Sequence, residues 1–194
     1  MLGYSYGDEM EQSDREIVKQ VLGGEVESYG VLVERYHRQI FNLMYRFSHK
    51  DQDAADLTQD AFLRAYERLE SYRMEHSFFS WLYSLASNLA TDWSRRWTVR
   101  SNKQHLLASE KRDGPVPVEQ EKLFESREEL DLLQKALCHL SDATREILLL
   151  RYKEELSIRE VAQAFSLSES GAKMRISRGL KDLRKILENN DGRQ

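Results

Sequence analysis

Proline, cysteine and glycine are all scarce in these 194 residues, and each shortage narrows what the chain can be. The 2 prolines, Pro115 and Pro117, stand on either side of Val116. Gly114, beside them, is the sole glycine between Gly30 and Gly171. Two long stretches are therefore without helix breakers, and one short stretch concentrates them. The 1 cysteine, Cys138, excludes an internal disulfide framework and any zinc site built on several thiolates. Long apolar runs are missing too. The longest aliphatic run, Ile147-Leu148-Leu149-Leu150, falls far short of the roughly 18 residues a membrane-spanning helix requires. The first 25 residues hold no apolar core of the kind a secretory signal needs. A cytoplasmic chain with no direct membrane insertion is expected.

What remains is an ordinary globular balance, 40% hydrophobic and 32% charged. The net charge of −4 speaks against a nucleic-acid partner, but the average hides a segregation. Phe78 to Ser109 carries Arg95, Arg96, Arg100 and Lys103 against the single acid Asp92. Glu169 to Lys185 carries 6 basic residues against 2 acids. The acids collect instead at Asp51 to Glu70 and at Glu119 to Asp131.

Helical periodicity runs through both breaker-poor stretches, and no alternating strand pattern occurs. The pattern predicts an all-α protein of two small helical domains, 1–103 and 125–194, joined by a flexible linker over 104–124. In the first domain, residues 14–22 read as a short helix capped by Asp14 and ended at Gly23-Gly24. Tyr29, Leu32, Val33, Tyr36, Ile40, Leu43, Met44 and Phe47 recur at helical spacing behind Ser28 as N-cap. A second helix starts near Asp53 and buries Leu57, Ala61, Phe62, Ala65, Tyr66 and Leu69. A third runs from Phe78 past Trp97, with Phe78, Trp81, Leu82, Leu85, Leu89, Trp93 and Trp97 on its apolar stripe. In the second domain, Ser126 with Glu129 and Ser157 with Glu160 have capping-box spacing, and Ser141 or Asp142 starts the helix between them.

The end of the chain has helix-turn-helix spacing. A short helix over 158–165, the tight connection Phe165-Ser-Leu-Ser168 and a basic last helix leave Val161, Ala162, Phe165, Leu167, Ala172 and Ile176 to pack between the helices. The outer face then shows Lys173, Met174, Ser177, Arg178 and Lys181, residues that suit a DNA major groove. Seven of the 19 aromatics fall between Tyr72 and Trp97, Tyr72 just before the third helix and six on it, most of them core residues of its apolar stripe, opposite a polar face of Ser84, Asn88, Thr91 and Arg95. That combination suits single-stranded DNA. Asp53, Asp56 and Asp60 share one face of the second helix with Gln59, either a solvated surface or a dock for a partner.

Asp56-Leu-Thr-Gln-Asp-Ala-Phe-Leu-Arg-Ala-Tyr66, Phe79-Ser-Trp-Leu-Tyr-Ser-Leu-Ala-Ser-Asn88 and Asp92-Trp-Ser-Arg-Arg96 together resemble the promoter-melting domain of bacterial sigma factors, most closely the extracytoplasmic-function group. Arg145-Glu-Ile-Leu-Leu-Leu-Arg-Tyr152 and Leu156-Ser-Ile-Arg-Glu-Val-Ala162 resemble that group's domain for the −35 element. The resemblance covers about 26–100 and 126–187, in the family's order. It implies that Asp56, Gln59 and Asp60 dock on the clamp helices of the largest subunit of core RNA polymerase. It implies that loop 70–77, with Tyr72, captures a base flipped from the −10 strand, that Asn88 reads that element, and that Arg95 and Arg96 lie at its upstream edge. Lys173, Met174, Ser177 and Arg178 match the exposed −35-reading positions. The family commonly has Gly-Thr-Val before the basic residue, whereas this chain has Ser170-Gly171-Ala172, so its −35 sequence does not follow by analogy.

An enzyme reading fails on the residues. The five histidines are scattered, no glycine-rich phosphate loop or HExxH appears, and no nucleophile and base come together by spacing. No catalytic residue, metal or cofactor is expected. The partners implied are core polymerase, promoter DNA and an anti-sigma factor. The alternative is a stand-alone helix-turn-helix regulator, which needs neither the acidic helix nor the aromatic–arginine helix. A purely protein-binding adaptor would leave the basic recognition helix unexplained. The proline-bearing linker sets no fixed separation between the two domains.

Overall fold

The first helix, α1 (Asp14–Leu22), starts where the sequence supplies a reciprocal cap. Ser13 Oγ accepts from the Glu16 amide, and Glu16 Oε2 accepts from the Ser13 amide at 2.9 Å. The cap is therefore Ser13 and not Asp14. Being one residue further on, Asp14 turns sideways to α2 (Tyr29–Ser48), where it pairs with Arg35 and accepts from the Tyr36 hydroxyl at 2.5 Å. Gly24 ends the turn after α1 at φ 105, a left-handed conformation that side chains resist. Ser28 precedes α2 as expected, but its side chain makes no capping bond. A tight turn over Val26–Ser28 leads into the helix with helical dihedrals already at Ser28.

The computed structural model describes residues 12–104 and 127–191. Helices α1, α2, α3 (Asp51–Glu67) and α4 (Phe78–Gln104) form one bundle. Helices α5 (Arg127–Cys138), α6 (Asp142–Tyr152), α7 (Ile158–Ala164) and α8 (Glu169–Asp191) form a second. No strand occurs among the described residues, and the all-α expectation holds. The expected cap at Ser126 and nearly all of the linker lie outside the described residues.

The first bundle closes over Leu32, Ile40, Leu43 and Met44 of α2, Leu57, Ala61 and Phe62 of α3, and Phe78, Leu82 and Ala86 of α4, all buried. Helix α3 begins two residues before the expected Asp53, at Asp51. Two aromatics assigned to the apolar stripes sit at the surface instead. Tyr66 is exposed and meets Tyr29 edge-on at 5.1 Å, while the Tyr29 hydroxyl donates to the Phe62 carbonyl at 2.7 Å. Trp97 is 41% exposed and stacks on Trp93 at 5.5 Å, with Lys50 Nζ 5.2 Å from its ring centre. Both lie where the helix outruns the core, and neighbouring side chains cover them laterally.

In the second bundle Ser141 accepts from the Thr144 amide, and Ser157 and Glu160 form the expected capping box. Helix α6 is the centre. Arg145 to Leu150 are all buried, and so continuous a run covers every side of a helix. Two sides face α7 and α8; another meets the first bundle. There Glu146 Oε1 and Oε2 accept from Arg46 Nε at 2.7 Å and Nη2 at 2.6 Å, and the Tyr83 hydroxyl donates to the same carboxylate. Arg46 comes from α2 and Tyr83 from α4, and all three are buried. The two bundles are thus packed together, although the linker by itself sets no such separation.

Burial alone drives the Arg46 guanidinium towards losing its proton and the Glu146 carboxyl towards keeping one. Their mutual attraction overrides this, so Arg46 ends above its usual range and Glu146 below 4.5. Tyr83 is driven far up, first by burial and then by the carboxylate. A depressed carboxyl contributes its stabilisation in full above the unfolded value of 4.5 and loses it as pH falls through the folded value. Wild-type chain should therefore lose interdomain packing on titration downward from pH 7 once pH drops below about 4.5. Glu146→Gln, neutral throughout, should lack that component. The radius of gyration, followed by small-angle scattering across the titration, checks this.

Candidate nucleic-acid and polymerase interface

Helix α3 separates its residues cleanly. Ala54, Leu57, Thr58, Ala61 and Ala65 are buried, with the Thr58 hydroxyl donating back to the Ala54 carbonyl at 2.7 Å. Asp56, Gln59 and Asp60 are exposed on the opposite side, and Asp53 is half-buried. One further residue belongs to this face. Leu63 is 55% exposed, three positions beyond Asp60, and gives the acidic surface an apolar end. The signal for it was its absence from the apolar stripe despite being a leucine.

The segment 70–77 joins α3 to α4. Tyr72 is buried rather than presented to solvent. Its ring lies against Phe78 at 5.5 Å and Trp81 at 5.3 Å, and its hydroxyl donates to the His76 carbonyl at 2.7 Å. Tyr72 thereby fastens the base of the loop, while Arg73 and Glu75 are exposed. Ser77 Oγ accepts from the Ser80 amide at 3.3 Å and starts α4. Further along α4, Asn88, Arg95 and Arg96 are exposed along one side. Arg95 is 4.0 Å from Asp92, a loose surface pair that leaves the guanidinium available. Thr91, expected on the polar face, turns its hydroxyl back to the Ser87 carbonyl at 2.8 Å.

The helix-turn-helix forms as the spacing predicts. Ser166 and Leu167 return to α7 through bonds from their amides to the carbonyls of Gln163 at 3.1 Å and Ala162 at 2.8 Å. Ser168 accepts from the Gly171 amide at 3.1 Å, opening α8. Ala172 and Ile176 are buried against α7, which leaves Lys173, Met174, Ser177 and Arg178 exposed. A groove of about 600 Å³ runs beside this face, lined by Tyr152, Lys173, Ser177 and Lys181 among others. The crossing of α8 over α6 depends on Gly179. A Cβ there would come within 2.7 Å of Thr144 Cγ2 and 3.3 Å of Leu148 Cδ1. A glycine inside a basic helix is the sequence signal for that close approach.

With these surfaces defined, the relatives give the class. Residues 32–99 match the model of sigma-70 region 2, and residues 130–183 match that of sigma-70, region 4. The chain is 30% identical over 187 residues to the extracytoplasmic-function RNA polymerase sigma factor SigW of Bacillus subtilis, covering 92% of this chain and 98% of SigW. It is 28% identical over 196 residues to the RNA polymerase sigma-H factor of Pseudomonas aeruginosa, covering 92% and 95%. Among solved structures, CnrH in complex with the cytosolic domain of CnrY superposes with a TM-score of 0.66 at 22% identity, over 92% of this chain and 99% of CnrH. RpoE of Bartonella quintana, solved with the anti-sigma factor NepR, gives 0.63 at 21% identity, over 84% and 98%. The chain belongs to the sigma-70 family, in its extracytoplasmic-function group. The stand-alone regulator finds no support in these relatives. Among the described residues no helix is long and apolar enough to cross a membrane.

Gly179→Val should destabilise the second bundle by about 1–3 kcal/mol, because its Cβ alone would already come within 2.7 Å of Thr144 Cγ2. Pairing it with Thr144→Ser, which removes the nearest methyl, should recover part of the loss. Thermal unfolding of the full chain followed by circular dichroism measures both.

Proposed function

We propose that this chain is the promoter-specificity subunit of a bacterial RNA polymerase. It docks on the core enzyme through Asp56, Gln59 and Asp60 on α3, meeting the clamp helices of the largest subunit. Residues 1–103 form the −10 module, 104–124 the connecting linker, and 125–194 the −35 module. Loop 70–77, fastened by Tyr72, receives the flipped base; Asn88 reads the −10 strand, and Arg95 and Arg96 hold its upstream phosphates. Lys173, Met174, Ser177 and Arg178 enter the major groove of the −35 element. The factor performs no covalent chemistry alone and acts in the cytoplasm. An anti-sigma factor restrains it, a reading supported by the NepR-bound relative.

The observation that carries this reading is the ordered pair of family matches, region 2 before region 4, over two modules with exposed acidic and basic faces. Adding the chain to core polymerase should direct transcription from defined start sites. Asp56→Lys with Asp60→Lys should abolish co-purification with core polymerase while changing folding stability by under about 1 kcal/mol, since both side chains are exposed. Transcription unchanged by the chain would refute the assignment.

Lys173→Ala and Arg178→Ala should each weaken −35 binding. A base contact should cost about 1–3 kcal/mol and relax specificity at one position. A phosphate contact should weaken all sequences alike and lower the salt slope by about one. Competition binding by holoenzyme to point-substituted promoters separates the two outcomes.

A further inference from the structure

Between the two bundles lies a cleft of about 720 Å³, within the roughly 300–1,000 Å³ of small-molecule sites. Arg15 of α1 and Glu75 of the α3–α4 loop stand on the wall from the first bundle, and Arg159 and Gln163 of α7 on the wall from the second. Gln163 Nε2 lies 2.6 Å from His76 Nδ1 and joins the two walls. The cleft borders loop 70–77, but its cations belong to α1 and α7, which the promoter contacts assigned above leave unused. Tyr72 reports how close the charges come. Burial first, and then the Asp14 carboxylate, push its hydroxyl above the usual range, with Arg15 opposing the rise and Glu75 adding to it.

The charges in the lining divide into those already used and those left over. Asp14 pairs with Arg35 and accepts from the Tyr36 hydroxyl at 2.5 Å. Glu160 accepts from the Ser157 amide at 2.8 Å and from its hydroxyl at 2.7 Å. Arg15, Arg159 and Glu75 remain, all exposed and none paired with another described residue. Two guanidiniums against one carboxylate favour an anion. The planar fork of arginine matches phosphate oxygens two at a time, and forks from opposite walls can share one phosphate. Glu75 sets the second requirement. A bare anion meets it as repulsion, whereas a ligand with an O–H or N–H donor meets it as a hydrogen-bond acceptor.

We infer that this cleft is a binding site for a small phosphate ester, its phosphate shared by Arg15 and Arg159 and a hydroxyl or amine of its remainder donating to Glu75. The site goes beyond the function proposed above and does not depend on it. Because one arginine comes from each bundle, the ligand ties α1 to α7. Its binding stabilises the folded chain once its concentration passes its dissociation constant.

Calorimetric titration of the full chain, at low salt in a phosphate-free buffer, tests this with glycerol phosphate and with adenosine monophosphate. Both esters should bind one to one, and the tighter of the two shows whether the remainder is a polyol or a nucleoside. Arg15→Ala and Arg159→Ala should each weaken binding about tenfold or more, as the loss of a charge-assisted hydrogen bond does. Arg175→Ala, which removes an exposed cation of α8 outside the cleft, should leave the affinity unchanged. Inorganic phosphate should bind more weakly than either ester. Glu75→Ala should narrow that preference, since it relieves the repulsion and removes the acceptor together. All four substitutions are at exposed positions, so thermal unfolding of each variant should match wild type. No heat from either ester at millimolar concentration would overturn the site. Equal weakening by Arg175→Ala would overturn it too, because the attraction would then be diffuse. Inorganic phosphate binding as tightly as the esters would overturn the donor contact to Glu75.

Discussion

A carboxylate taken out of water must bring its counter-charge with it, and Glu146 does so across 100 positions of sequence, with Arg46. The third member, Tyr83, supplies the remaining donor from α4. These three side chains join α6 to α2 and α4 of the first bundle. Because α6 is the centre of the second bundle, its placement carries α7 and α8 with it. Helix α7 packs against α4 and touches the α3–α4 loop through Gln163 and His76, and α8 is left facing outward with its basic side uncovered. The relation between the two promoter-facing modules thus rests on the packing of α7 against α4 together with this ionic contact.

Local chemistry was the readable part of the sequence. The Ser157–Glu160 box, the Ser141 cap and the turn between α7 and α8 each need only residues within one or two turns, and they stand where the spacing put them. Helix starts were less secure where two residues competed. Ser13 and Asp14 are both good caps, and the decision lay with Glu16, which reciprocates to Ser13. Tyr66 and Trp97 follow helical periodicity faithfully, but periodicity does not say where the core stops. The seam was beyond reach by this route. Arg145-Glu146 reads as the polar start of an apolar helix, and nothing near it names Arg46 or Tyr83.

The faces assigned to function divide in the same way. The exposed acidic side of α3 and the outer side of α8 follow from a period of 3.6 alone, which is why their residues could be named in advance. Tyr72 could not be placed by that rule, because a loop has no period. Its ring and hydroxyl are both used internally, so the loop owes its shape to a residue that the family resemblance alone assigns to base capture.

The circle of buried residues around α6 has a practical meaning for anyone dividing the molecule. A fragment beginning at α5 keeps the packing with α7 and α8 but bares the side that carried Glu146 against the first bundle. That side mixes a charge needing hydration with leucines needing cover, and isolated halves would meet the second need by adhering to one another. The C-terminal module is therefore best handled with its N-terminal neighbour attached.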